Sequence, residues 1–133
     1  VHAYRLREEP MDESPFDYDL LLRVGAQPKT FDAGEKVFLE DDLGTGLYII
    51  KSGRVDVITY GTVLENVRAG GIVGEVALID GGPRSAAAIA AEPTEALSLD
   101  KPTFLALIRE KPEFALHVMR VMAHRLRKMN EQL

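Results

Sequence analysis

Between residues 30 and 99 the chain breaks into short runs rich in Val, Ile, Tyr and Thr, punctuated by glycine at 34, 44, 46, 53, 61, 70 and 71. Runs this short, separated by residues that turn freely, pair as antiparallel strands, so the pattern predicts a sandwich or barrel. Strands are expected at 29–32, 36–39, 47–51, 54–59, 63–67, 86–91 and 95–99. Val55, Val57 and Thr59 alternate with Asp56 and Ile58, which gives one apolar face and one mixed face.

Helices are expected on either side of this β region. Phe16, Leu20 and Val24 recur at four-residue spacing, the mark of a short amphipathic helix that Gly25 and Pro28 should end. Residues 1–15 are polar, hold Pro10 and Pro15, and read as an arm, leaving 16–133 as one domain, with its β-roll at about 29–99 and its C-terminal helices at about 101–132. Asp100 is a plausible N-cap for a helix that Lys111-Pro112 interrupts, and a second helix follows. In that last helix Ala115, Met119, Met122, Leu126, Met129 and Leu133 form a heptad seam. The seam suits a homodimer, the alternative being that it packs on the protein's own barrel. Arg120, Arg125, Arg127 and Lys128 of the same helix are expected on a solvated face that complements the helix dipole.

From Gly71 to Ala86 the chain reads GIVGEVALIDGGPRSA. Its glycines permit sharp turns and close backbone approach, while Glu75 to Ile79 has helix formers for about one turn. The first amides of such a helix, near Val76, Ala77 and Leu78, lack intrahelical partners and suit a phosphate. Arg84, set by Pro83, can hold two phosphate oxygens at once, and Ser85 can add a hydroxyl donor. A carboxylate at Glu75 would repel that phosphate unless it faced a sugar hydroxyl. A 3′,5′-cyclic nucleotide carries both groups side by side. The plainer reading is a hairpin turn at Asp80-Gly81, a Glu75 that complements the helix start, and a solvated Arg84.

Other chemistries find little support. Gly44-Thr45-Gly46 opens like a dinucleotide fingerprint, but a strand-forming Leu-Tyr-Ile-Ile run follows where a helix is required. No Gly-Lys-Ser or Gly-Lys-Thr triplet provides a triphosphate loop, and no serine sits in a nucleophile elbow. His117 and His124 lie seven residues apart, about 10 Å along a helix, too far to share one metal ion. They read as ordinary polar positions. Neither catalytic residues nor a metal or cofactor is expected, and the chain reads as no enzyme. A net charge of −5 argues against nonspecific nucleic-acid binding, so no direct nucleic-acid contact is expected. The chain shows no leader and no apolar run of about 20 residues, and it has no cysteine, which together suggest a cytoplasmic protein without membrane contact.

The stretch from Gly74 to Ala86 resembles the phosphate-binding cassette of the cyclic nucleotide-binding domain family, which includes catabolite activator protein, regulatory subunits of cAMP-dependent protein kinase and cyclic nucleotide-gated channels. Residues 31–38 are similar to the family's early aromatic-x-x-Gly-Glu strand and residues 47–57 to its central hairpin, so the likeness covers about 30–130. It implies an antiparallel β-roll, jelly-roll-like, with a short N-terminal helix, a cassette helix and two C-terminal helices. It implies that Glu75 accepts the ribose 2′-hydroxyl, that Arg84 binds the cyclic phosphate, and that amides around Ala77 and Ser85 complete a cradle. The ligand-binding set is then Gly74, Glu75, Val76, Ala77, Arg84, Ser85 and Ala86, with Leu78 and Ile79 anchoring the cassette helix to the barrel. Ser85, where cGMP-preferring members often carry threonine, favours cAMP over cGMP. The terminal helix would move over the ligand. Val73 stands where an aromatic is usual, Asp41-Asp42 replaces a common Gly-Asp pair, and Ala87 lacks a hydroxyl found in kinase-type cassettes. These departures support the alternative of a dimerisation domain whose pocket is empty or holds another anion. The chain could also be the sensor part of a transcription regulator or channel.

Overall fold

The computed structural model describes residues 16–131. Helix α1 (Tyr18–Val24) leads into strand β1 (Gln27–Phe31), and strands β2 (Lys36–Phe38), β3 (Leu47–Ser52), β4 (Arg54–Thr59), β5 (Thr62–Arg68) and β6 (Ile72–Val73) follow. Helix α2 (Glu75–Asp80) separates these from β7 (Ala87–Ala90) and β8 (Thr94–Leu99), and helices α3 (Lys101–Glu110) and α4 (Glu113–Glu131) close the chain. Two four-stranded sheets, ordered β1-β8-β3-β6 and β2-β7-β4-β5, pair antiparallel throughout. This is the expected mainly-β roll with flanking helices. The short pair β6 was not anticipated, because two residues carry no readable alternation.

Alternation along β3 divides the core in two. Leu47 and Ile49 face the helices and join Leu21, Leu107, Phe114 and Val118 in one cluster. Ile50 faces the other sheet and packs with Val55, Val57, Val73 and Ala88. The β4–β5 hairpin turns on Tyr60 and Gly61, at φ 50° and 74°, the paired left-handed conformation that a two-residue hairpin demands.

The helix ends follow from capping chemistry. The Asp17 carboxylate accepts from the amides of Asp19 and Leu20, so α1 starts after Phe16, and Gly25 ends it at φ 114°. Pro28 lies inside β1 and not at a helix end; β1 is a sheet edge, where a missing donor costs nothing. Asp100 caps α3 by accepting from Thr103 at 2.9 Å, which holds its carboxyl below the usual range.

His117 departs from the ordinary polar position expected of it. Its ring stands edge-on to Phe16 at 5.2 Å and beside Phe114 at 6.5 Å, and its Nε2 is buried without a partner. Burial, with Arg120 adding repulsion, pulls its pKa below 6.5; burial and the nearby Lys128 and Arg125 do the same for His124. A depressed histidine pKa means that the unfolded chain binds more protons than the folded one just below pH 6.5. Stability contributed by the neutral rings is therefore complete above that pH and declines as pH falls through it. Thermal melts should drop between pH 7.5 and 5.5, and replacing His117 with leucine should flatten the dependence.

Candidate functional site

The cassette is built around α2. Gly74 occupies its N-cap at φ 88°, a left-handed conformation, and no side chain caps the helix. A Cβ there would lie 2.7 Å from Arg84 Nη1 and 2.9 Å from the Gly46 carbonyl. Gly74→Ala is therefore expected to cost about 1–2 kcal/mol from backbone conformation alone and more from displaced Arg84, read by urea unfolding. The Leu78 amide reaches the Gly74 carbonyl at 3.4 Å, so it is engaged, and the open amides lie one residue earlier than expected. Leu78 is buried as anticipated, but Ile79 is 45% exposed and lies off the buried face of the helix. The buried face of α2 comprises Glu75, Ala77 and Leu78, and position 79 turns off that face.

Arg84 is held from both sides. Its backbone exchanges two hydrogen bonds with the β2–β3 loop, Asp41 N donating to Arg84 O and Arg84 N to Asp42 O, each at 2.9 Å. Asp41 takes φ 70°, a left-handed conformation that aspartate tolerates better than most residues, which explains how it stands where glycine is common. The guanidinium lies 4.1 Å over the Phe38 ring and donates from Nη1 to the Gly74 carbonyl at 3.1 Å. Only 3% exposed, it leaves Nε buried without a partner. Desolvation lowers its pKa, opposed by the fields of Tyr48, Asp42 and Glu75. It is a buried cation with spare donors, a demand that an anion satisfies.

Glu75 is 2% exposed and is engaged by a residue far away in the chain. Its Oε1 accepts from Arg125 Nη1 of α4 at 2.6 Å. Arg125 Nε donates to Glu65 of β5 at 2.6 Å, and Nη2 donates to the Ile72 carbonyl of β6. Burial works against this cation, yet Glu75 and Glu65 outweigh it and raise its pKa above the ordinary value. Arg125 thus leaves the solvated face expected for the basic residues of α4. Its position seven residues after Val118 and three after Met122, on the buried stripe, was the signal available in the sequence.

A cavity of about 320 Å³ opens between the cassette and α4. All the residues named from the sequence line it: Gly74, Glu75, Val76, Ala77, Arg84, Ser85 and Ala86. Its other walls, missed by sequence reasoning, are Phe38, Val57 and Leu64 of the roll and Met122, Ala123, Arg125, Leu126 and Met129 of α4. Three members of the heptad seam therefore face the cavity, while Met119 is 60% exposed on the outside; Leu133 and the 1–15 arm lie outside the described residues. No cluster of three metal-ligating side chains occurs among the described residues, and no helix among them is long and apolar enough to cross a membrane.

A buried arginine, a glycine-capped helix and a terminal helix thus surround one cavity of a β-roll. Residues 28–111 match the family model described as cyclic nucleotide-binding domain, and the chain belongs to that family. It is similar to the cyclic AMP receptor protein of Thermus thermophilus, 35% identical over 125 residues that cover 90% of this chain and 57% of that protein. It also resembles the cAMP-dependent protein kinase regulatory subunit of Yarrowia lipolytica, 38% identical over 78 residues, 59% of this chain and 21% of that one. The crystal structure of Thermus thermophilus catabolite activator protein superposes with a TM-score of 0.76 at 34% identity, covering 93% of this chain and 61% of that one. The chain spans about half the length of the bacterial relatives it matches.

Proposed function

We propose that this regulatory domain captures a nucleoside 3′,5′-cyclic monophosphate between its cassette and α4, with cAMP ahead of cGMP. The observation that carries this reading is the Arg84 guanidinium, 3% exposed and with an unpartnered Nε, lining a cavity of about 320 Å³. Arg84 and the open amides of α2 hold the phosphate, Gly74 and Ala86 allow its close approach, and Ser85 adds a hydroxyl. Glu75 takes the ribose 2′-hydroxyl on the oxygen that Arg125 leaves free. The domain comprises 16–133, with 1–15 as an arm.

Occupancy is passed on through α4. Support comes from Arg125, through which one helix side chain is bonded to the carboxylate assigned to the sugar. Ligand bound to Glu75 changes what that carboxylate offers Arg125, and the helix shifts only as far as the two helix positions differ in affinity for the ligand. Exposed Leu116, Met119, Leu126 and Met129 on α4 favour pairing with a second copy.

Thermal melts with cAMP and cGMP test the binding reading. A ligand at 100 times its dissociation constant should stabilise the chain by about 2.7 kcal/mol. An unchanged melt with millimolar concentrations of either nucleotide would remove it. Spin labels on α4 and the β-roll, with distances compared with and without nucleotide, test transmission separately.

A further inference from the structure

Strand β2 is irregular beside the site. Lys36 pairs with Ile89 and Phe38 with Ala88, so two steps along β2 meet one step along β7, and Val37 is the extra residue of a β-bulge. Lys36 is exposed and Ala88 is buried. Strict alternation from Lys36 would send Val37 inward and Phe38 outward; the bulge sends both inward, where they pack on the cluster of Ile50, Val55 and Val73. Phe38 thereby reaches the cavity wall. The Arg84 guanidinium carbon lies 4.1 Å over its ring, and the ring is backed by Tyr48 at 6.1 Å, which meets Phe31 in turn at 6.1 Å.

We infer that Phe38 is a positioning residue for the cyclic phosphate, an aromatic plate that fixes the Arg84 guanidinium without occupying its donors. The inference rests on the binding reading above and adds the residue that aims its cation. The hydrogen bond from Nη1 to the Gly74 carbonyl, at 3.1 Å, is a single axis about which the group can still turn. Asp42 and Glu75 both attract the cation, in directions of their own. A carboxylate in the place of the ring would neutralise the guanidinium and take its N–H groups. A ring face attracts the cation and takes none, so Nε stays open toward an incoming anion. Without the ring the guanidinium must be ordered when the ligand binds, which weakens binding about two- to tenfold for one immobilised side chain.

Calorimetric titration of the full chain with cAMP and with the Rp and Sp diastereomers of its phosphorothioate tests this. Each diastereomer has sulfur, a poorer hydrogen-bond acceptor, in place of one of the two exocyclic phosphate oxygens. A guanidinium fixed in one orientation should distinguish them by about tenfold or more, the scale of one charge-assisted hydrogen bond. Phe38→Leu should weaken cAMP about two- to tenfold and bring the ratio of the diastereomers toward one, and Phe38→Tyr, which keeps the ring, should restore both. Phe38→Met serves the same purpose if the leucine variant melts too low to titrate. An unchanged ratio in the ringless variant, including a loss of affinity shared equally by all three ligands, would make Phe38 a packing residue and overturn the inference while leaving cyclic nucleotide binding intact. So would a parent chain that does not distinguish the diastereomers. Failure of the parent to bind cAMP would overturn the binding reading and this inference with it.

Discussion

Replacing Arg84 with leucine is expected to weaken cyclic nucleotide binding by about 2–5 kcal/mol, the usual consequence of truncating one member of a buried charge pair. That corresponds to roughly thirtyfold to several thousandfold in dissociation constant. The same substitution should leave the ligand-free melt nearly unchanged. The guanidinium makes one hydrogen bond to protein, to the Gly74 carbonyl, and rests on Phe38, while its Nε goes unsatisfied. Burying that cation costs desolvation which leucine does not incur, and this offsets the lost contacts. A residue kept for stability would behave in the opposite way, lowering the melt and affecting affinity only through unfolding. Calorimetry and thermal melts on one preparation separate the two. Equal affinity in parent and variant would reject the role assigned to Arg84.

Arg125→Met should produce the largest loss of stability, about 3–5 kcal/mol, because it strands carboxylates that the fold has taken out of water. Glu75 is 2% exposed and the Glu65 side chain 20%, so neither can recover full hydration without moving. At about 4 °C per kcal/mol for a domain of this size, the melt should fall by roughly 12–20 °C. The pair is not thereby an efficient source of stability, since a well-packed apolar replacement of both partners can equal it. Combining Arg125→Met with Glu75→Gln should accordingly recover part of the loss, a non-additivity that a double-mutant cycle measures. A single variant melting within a few degrees of the parent would mean that α4 is held by its apolar face alone.

These two arginines mark how far the sequence could be followed. Most strands between 29 and 99, β6 excepted, were legible because alternation and turn residues are local signals: Val55 and Val57 turn inward as their spacing requires, and Gly61 follows Tyr60 where the hairpin needs left-handed backbone. Asp100 could be read as a cap for the same reason, its partner amide lying three residues away. The cassette was legible through its resemblance to the family's motif, since spacing alone left a plain hairpin turn at Asp80-Gly81 equally open. Its outer boundary was less so, as Ile79 shows, since which side of a six-residue helix meets the barrel depends on what packs against it.

By itself the sequence marked the strands, the helices and the position of Arg84 within a local motif, because each is signalled by residues close together in the chain. The pairings that close the roll, such as Gln27 of β1 with Ser98 of β8, join residues roughly seventy apart. Only the tertiary structure decided that Glu75 is shared with Arg125, fifty residues away, and that the α4 seam turns three of its members onto the cavity. The physical reason is that periodicity places a side chain on a face of its helix, but the identity of the surface opposite that face is set by long-range packing. A basic residue on a buried stripe has no local energetic signature until two carboxylates from other elements arrive beside it.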